Sequence, residues 1–188
     1  MDNFVFAVID TETSGFSVKG GDRIFEVGVI KIRNMQVQDN EKFVSLINPG
    51  ISIGMTSKLL TGISDESIQK AQKPEQVYPQ LIEFLSGVDF LIAHNAEFDK
   101  EFLEYELGHV DPFFRLPEFL CTKELSRLVY PHEKYHNLDV VLQRAGVIFE
   151  GARHRAFEDA YATAKAFLHL YINSPEKDSK KLIEKIKV

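Results

Sequence analysis

The sequence has one cysteine, no long apolar run and no signal-peptide pattern. Cys121 has no partner for an internal disulfide, which is typical of proteins from a reducing compartment. No apolar run approaches the ~20 residues of a membrane-spanning helix. The first ten residues lack a basic region followed by an apolar stretch. We therefore expect a cytoplasmic protein that does not enter a membrane.

Basic side chains are also too few for a protein that grips a long stretch of nucleic acid. The 22 Lys and Arg residues against 28 Asp and Glu leave a formal charge of −6, whereas affinity for nucleic acid comes largely from neutralised phosphates. This balance argues against a high-affinity DNA-binding module. It is compatible with an enzyme that holds a few terminal nucleotides and binds metal with carboxylates. A dinucleotide-binding enzyme is disfavoured, because no G-x-G-x-x-G turn follows the first apolar run.

What the chain does have is enough apolar bulk for one compact domain of 188 residues, including 15 Phe. Three strand-like segments come first, and helices then alternate with strands, which predicts a mixed sheet flanked by helices. The predicted strands are 4–10, 23–32, 42–47, 88–93 and 118–122. The predicted helices are 74–85, 98–107, 123–129, 138–145 and 155–171.

The last fifteen residues differ from the rest in being polar and Lys-rich. We predict a single domain over residues 1–173 and a tail over 174–188. The composition of the tail is compatible with a short helix, a disordered end or a partner-binding segment.

Two carboxylates close the first predicted strand. Asp10 and Glu12 lie two residues apart, so the alternation of strand side chains directs both to one face. Like charges this close repel one another unless a cation lies between them. A solvated turn, with Thr and Ser as caps, is the alternative interpretation.

A third acid, Asp99, follows the predicted strand 88–93 and lies in the first turn of a helix. Acids are common there because they interact favourably with the helix dipole. Asp99 is therefore either an ordinary helix-start acid or a ligand, and Asn95 is a candidate cap for that helix.

The last group of candidate residues starts the final long helix. Asp159 shares a helical face with Ala156, Ala160 and Thr163, and these small side chains allow the helix to lie close to the sheet. A buried aspartate is costly unless it is paired or bound to metal. His154, at the helix entrance, is close enough to reach the same site.

Four oxygen ligands from separate segments suit hard cations such as Mg²⁺ or Mn²⁺. Zinc is the weaker choice, since the sequence shows no Cys/His ligand set.

Together these segments resemble the three motifs of the DEDD exonuclease superfamily, in its histidine-bearing branch. The motifs are residues 10–15 (DTETSG), 94–99 (HNAEFD) and 154–159 (HRAFED). Residues 60–66 and 135–138 also resemble the family, and the similarity covers about residues 3–172. It is greatest to the proofreading epsilon subunits of bacterial DNA polymerase III and to the exonuclease domain of Gram-positive replicative polymerases. The implied fold is ribonuclease H-like, with a mixed five-stranded sheet and helices on both faces.

The resemblance also implies roles for the candidate residues. Asp10, Glu12, Asp99 and Asp159 would bind two divalent cations, Mg²⁺ or Mn²⁺. Glu12 and His154 would be catalytic, with His154 accepting a proton from the attacking water. The substrate would be the 3′ end of single-stranded or frayed DNA, cleaved to nucleoside 5′-monophosphates in proofreading or repair, with a DNA polymerase subunit as a candidate partner.

Contacts with the terminal nucleotide are expected from five further residues, namely Thr13, Gly15, Thr61, Asn95 and Phe98. Relatives often carry His at the position of Thr61, and core packing is an equal alternative for Phe98. Two rival functions remain open. One is a 3′–5′ exoribonuclease of the same superfamily, and the other is a catalytically idle module that binds a polymerase.

Overall fold

The computed structural model describes residues 4–148 and 153–188. Its centre is a five-stranded mixed sheet in the order β3-β2-β1-β4-β5. The strands are β1 (Val5–Thr13), β2 (Ile24–Arg33), β3 (Gln36–Leu46), β4 (Phe90–Ala93) and β5 (Glu118–Cys121). Strands β1, β2 and β3 pair antiparallel, whereas β4 and β5 run parallel to β1. This arrangement confirms the predicted fold class.

Eight α-helices are found in the described ranges. They are α1 (Met55–Thr61), α2 (Asp65–Lys70), α3 (Pro74–Phe84), α4 (Glu97–Val110), α5 (Thr122–Val129), α6 (Leu138–Arg144), α7 (Ala156–Asn173) and α8 (Ser179–Ile186). None of them is long and apolar enough to cross a bilayer.

The helices cover both faces of the sheet, because the side chains of β1 alternate between two apolar layers. Ala7 and Ile9 belong to the layer that also includes residues of α3 and α4. Phe6 and Val8 belong to the layer that includes residues of α5, α6, α7 and α8. The carboxyl ends of β1, β4 and β5 lie at the same edge of the sheet, since these strands are parallel.

The hairpin between β2 and β3 is tighter than predicted, so the prediction that the third strand starts at residue 42 is wrong. Asn34 and Met35 both have positive φ, of 51° and 56°, and a two-residue turn of this kind matches the twist of the flanking strands. Strand β3 therefore begins at Gln36, and its polar first half forms the exposed edge of the sheet.

Helices α1 and α2 were not predicted. They have only 7 and 6 residues, and helices this short are marginal without tertiary packing. Ile63 and Ile68 stabilise them by packing with Ile53 against Phe25 of β2, in a small separate cluster.

The Lys-rich tail forms a helix that packs on the domain. Leu182 and Ile186 of α8 are fully buried in the layer of α5 and α7. Beyond the helix, the Val188 amide donates to the Phe119 carbonyl at 3.0 Å, and Lys187 bridges to Leu120 of β5. Of the three alternatives for residues 174–188, the structure shows the short helix.

Candidate active site

The first two acids extend an apolar face of β1. Phe6 and Val8 are completely buried on this face, and Asp10 and Glu12 continue the same alternation toward the carboxyl end of the strand. Asp10 lies opposite Gly28 of β2, and Glu12 lies opposite Glu26.

Gly28, the residue paired with Asp10, allows α7 to lie directly against β2. A Cβ atom at this position would lie 2.3 Å from the Phe157 amide nitrogen and 2.4 Å from the Ala156 carbonyl carbon. Only a glycine fits this approach of backbone to backbone. As a result, the first turn of α7 brings Asp159 to the edge of the sheet where Asp10 and Glu12 lie.

A buried ion pair fixes the same helix end. Glu26 is 1% exposed, and its carboxylate accepts hydrogen bonds from the Arg155 guanidinium at 2.6 and 3.0 Å and from the Ala156 amide at 3.1 Å. The Ala156 amide is one of the unpaired donors at the start of α7, so Glu26 caps the helix from a neighbouring strand.

Three predicted site residues meet at this point. Ligand atoms of Glu12, His154 and Asp159 all lie within 4.8 Å of one another. Asp159 is buried, whereas Glu12 is only partly so. His154 has a φ of 60°, an uncommon conformation for a residue other than glycine, and the chain turns there into α7.

A cation of the protein lies beside these ligands. The Arg153 guanidinium contacts Asp159 directly and pairs with Asp139 at 2.8 Å. Burial raises the pKa of both Asp10 and Glu12, and the Arg153 charge partly opposes that rise. Arg153 is thus a local counter-charge for the acids in the absence of metal.

Asp99 reaches the site from the other face of the sheet. It lies in the first turn of α4, is 4% exposed, and accepts a hydrogen bond from the Thr11 hydroxyl at 2.8 Å. The interpretation of Asn95 as the helix cap is wrong, because Ala96 holds that position without a side-chain bond. Asn95 has a φ of 65°, and its Oδ1 accepts from Lys123 at 3.1 Å.

Burial raises the pKa values of three of the acids, and neighbouring acids add to the rise at Asp10 and Glu12. Burial raises the pKa of Asp10 well above its usual range, and the charges of Asp99 and Glu12 raise it further. Burial, followed by the Glu26 and Asp99 charges, raises the pKa of Glu12 to about 7. Burial also raises the pKa of Asp99 to about 7, against the opposing effect of the Thr11 hydrogen bond. Such a cluster favours a bound cation.

Two of the residues expected to contact the substrate, Thr13 and Thr61, form hydrogen bonds within the protein. The Thr13 hydroxyl donates to the Gly15 carbonyl at 2.6 Å, and a Cβ at Gly15 would lie 2.4 Å from the Asp22 carboxylate. Thr61 is 6% exposed, and its hydroxyl donates to the Ser57 carbonyl and accepts from the Ile63 amide. The hydroxyl of Thr61 therefore has its partners inside the protein.

Phe98 lies between the core and the surface. Its ring is 5.0 Å from that of Phe102 and 6.5 Å from that of Phe16, measured between centroids. Phe16, which the sequence did not single out, is 90% exposed. The two rings form an apolar rim next to Asp99.

Sequence reasoning missed Glu26, Gly28 and Arg153. Two of them left a signal in the second strand, because an acid and a glycine interrupt an otherwise apolar run. A glycine inside a strand often marks a close backbone approach. No pattern identified Arg153, whose pairing with Asp159 depends on the turn at His154.

The comparison with protein families gives one match that covers most of the chain. Residues 7–167 fit the exonuclease family. The chain belongs to this family. The predicted family resemblance is therefore confirmed, and all three sequence motifs lie within the matched residues.

Curated relatives of this exonuclease domain are longer proteins. It is 37% identical to a "DNA polymerase III subunit epsilon-like protein" of Rhodobacter capsulatus, over 90% of this chain and 24% of the relative. It is 38% identical to the "3'-5' exonuclease DinG" of Bacillus subtilis, over 88% of this chain and 17% of the relative. A "DNA polymerase III PolC-type" of Listeria innocua is 35% identical, over 87% of this chain and 11% of the relative. The chain thus spans about a quarter or less of these relatives.

Solved structures confirm the fold. "Exonuclease X in complex with 5' overhanging duplex DNA" superimposes with a TM-score of 0.73 at 21% identity, covering 96% of both chains. The nuclease domain of 3'hExo, described as a DEDDh family member bound to rAMP, has a TM-score of 0.76 at 17% identity, covering 90% of this chain and 92% of that one.

Proposed function

We propose that this exonuclease domain hydrolyses terminal phosphodiesters at the 3′ end of DNA with the help of two divalent cations. The observation that carries the proposal is the meeting of Glu12, His154 and Asp159 within 4.8 Å, beside Asp10 and the buried Asp99. Three separate segments of the chain supply these groups, and a role in folding alone does not account for buried acids whose pKa values are raised.

The donor set suits Mg²⁺ or Mn²⁺. Asp10, Glu12, Asp99 and Asp159 would hold the cations, and carboxylate oxygens are the ligands that these hard ions prefer. When bound, the cations supply charge stabilisation for the in-line displacement at phosphorus.

The residues of the chain perform the remaining tasks. His154 is accessible at the entrance of α7, and its imidazole would accept the proton of the attacking water. Thr11 orients Asp99 through its hydrogen bond, while Glu26 and Arg155 hold the helix end that carries His154 and Asp159. Phe98 and Phe16 offer an apolar surface for the terminal base, near Thr13, Gly15 and Asn95.

DNA is favoured over RNA because two of these relatives, at 37% and 35% identity, are named for DNA polymerase III. The same names support a proofreading or repair role with a DNA polymerase as partner.

Digestion of end-labelled oligonucleotides tests the proposal. Single-stranded, paired and mispaired DNA and a matched RNA would be incubated with Mg²⁺, Mn²⁺ or EDTA. We expect nucleoside 5′-monophosphates to be released from the 3′ end only with metal, and faster from DNA. Asp10→Asn should remove nearly all of this activity, while Asp111→Asn, at the far end of α4, should not. Undiminished digestion in excess EDTA would overturn the cation-dependent mechanism.

A further inference from the structure

A groove of about 420 Å³ lies next to the acidic site, at the carboxyl ends of β4 and β5. Its charged walls are Lys123 and Arg127 of α5 and Lys134 of the following loop, and no acid lines it among the described residues. Grooves at the carboxyl ends of parallel strands are the usual ligand sites of such sheets. In a chain with a net charge of −6, this local excess of positive charge is unusual.

Neighbouring acids cancel only part of the positive charge of the groove. Arg127 pairs with Glu124, and nearby Glu133 pairs with Arg144. Lys123 and Lys134 form no ion pair within the described ranges; Lys123 donates to Asn95, and Lys134 lies 5.2 Å from the centroid of the Tyr135 ring. Two ammonium groups are therefore available to an anion.

Two histidines fix the loop that carries Lys134. The pKa of His94 is lowered to about 4, chiefly by burial, so its ring is neutral near pH 7. Nε2 then donates to the His136 carbonyl at 3.0 Å, and a hydrogen bond of 2.9 Å joins Nδ1 to the Thr122 hydroxyl. His136 in turn bonds through Nδ1 to the Ser126 hydroxyl at 2.9 Å. The loop is thereby tied to β4 and α5.

Tyr135 adds an exposed aromatic surface to this fixed loop. Its side chain is 59% exposed, and its carbonyl accepts from Arg144 at 2.8 Å. An aromatic ring beside cations is the combination with which proteins hold single strands, through base stacking and phosphate contacts.

Asn95 links the groove to the segment that carries Asp99. Lys123 bonds to Asn95, which precedes Asp99 by four residues in the same segment. We propose that the groove of Lys123, Arg127, Lys134 and Tyr135 binds the phosphodiester backbone of the substrate strand upstream of the scissile bond. This proposal rests on the nuclease function proposed above.

Two substrates distinguish strand binding in the groove from hydrolysis at the active site. The p-nitrophenyl ester of thymidine 5′-monophosphate has one nucleotide and no upstream phosphate, whereas a thymidylate 12-mer can occupy the groove. Arg127→Gln/Lys134→Gln changes two groove residues that do not bond to Asn95, so it should keep the kcat/KM of the wild type on the ester. On the 12-mer at low salt, kcat/KM should fall about 2- to 30-fold, as expected for two exposed charge contacts. The slope of log kcat/KM against log salt should shrink by about 1.4.

Lys180→Gln is the matched control, because Lys180 is an exposed lysine of α8, outside the groove. This substitution should leave kcat/KM unchanged on both substrates. Lys134→Gln alone should give part of the effect without touching Asn95. The groove would not be the strand-binding surface if the double variant kept the kcat/KM and salt slope of the wild type on the 12-mer. The same would follow if its kcat/KM fell equally on both substrates. A wild-type enzyme inactive on both substrates would instead contradict the nuclease function itself.

Discussion

The two halves of β1 differ in what they bury: the inner half buries apolar side chains, and the outer half buries carboxyl groups. Phe6 and Val8 lie on one face of the inner half and are completely buried at no electrostatic cost. Asp10 and Glu12 continue that face in the outer half, where burial raises their pKa values. The inner half stabilises the fold, and the outer half holds charges that need a cation. Stability and activity should therefore respond separately to substitution.

After the loss of activity expected for Asp10→Asn, the next largest effect is at His154, which lies beside Glu12 of the outer half. If this residue accepts the proton of the attacking water, His154→Ala should lower kcat about 10²- to 10⁴-fold. Binding of Mn²⁺ should change little, because the four carboxylates remain. Steady-state kinetics and metal titration of the two proteins provide the measurement.

His109→Ala is the matched control for this substitution. His109 is an exposed residue near the end of α4, at the opposite end of the helix from Asp99, and its loss should leave kcat unchanged. A wild-type kcat in His154→Ala would show that another group accepts the proton.

The next effect is on the inner region and concerns stability alone. Leu182 of α8 is fully buried in the layer that also contains Phe6 and Val8. Leu182→Ala should lower the free energy of unfolding by about 2–5 kcal/mol, measured by urea denaturation, with kcat intact well below the melting temperature. Lys180→Ala, on the exposed side of the same helix, should have little effect. Equal stability of the two variants would mean that α8 does not pack as described.

Residue patterns predicted the sheet and the motif residues better than the pieces that join them. Asp10, Glu12 and Asp99 follow strands whose apolar runs are strong, so their positions at one sheet edge were predictable. The helix of the tail was not predictable, because its few apolar side chains lie among lysines and only their long-range packing against the core determines the helix. For the same reason the pairing of Glu26 with Arg155, 129 positions apart, has no local signal.

A smaller effect is expected from substitution of Gly28, where α7 lies against β2 and thereby brings Asp159 to the outer half of β1. Gly28→Ala would place a Cβ 2.3 Å from the Phe157 backbone nitrogen, and overpacking of this kind costs about 1–3 kcal/mol. Since α7 carries Asp159, its displacement should also lower kcat, by up to ~10²-fold. Gly108→Ala is the control, because a Cβ there meets nothing within 4 Å. Loss of stability with unchanged kcat would show that the approach of α7 does not position the site.

The smallest effect is the pH dependence of the metal-free protein. The pKa of Glu12 is raised from 4.5 to about 7 in the fold, so between these values the folded state binds more protons than the unfolded state. Stability is then complete below about pH 4.5 and decreases as the pH rises through about 7. A pKa shift of one unit corresponds to about 1.4 kcal/mol, so a loss of at least ~1 kcal/mol, about 2–4 °C in Tm, is expected.

Comparison with Glu12→Gln isolates this contribution from those of Asp10, Asp99 and Glu106, whose pKa values are also raised by burial. Glutamine mimics the neutral carboxyl, so the variant should match the wild type near pH 5 and exceed it in Tm by pH 8, with EDTA present throughout. Added Mn²⁺ should reverse the order at pH 8, because the wild type gains stability from the bound cation by mass action. A Tm difference that stays constant from pH 5 to 8 would mean that the outer half of β1 does not carry the electrostatic cost assigned to it.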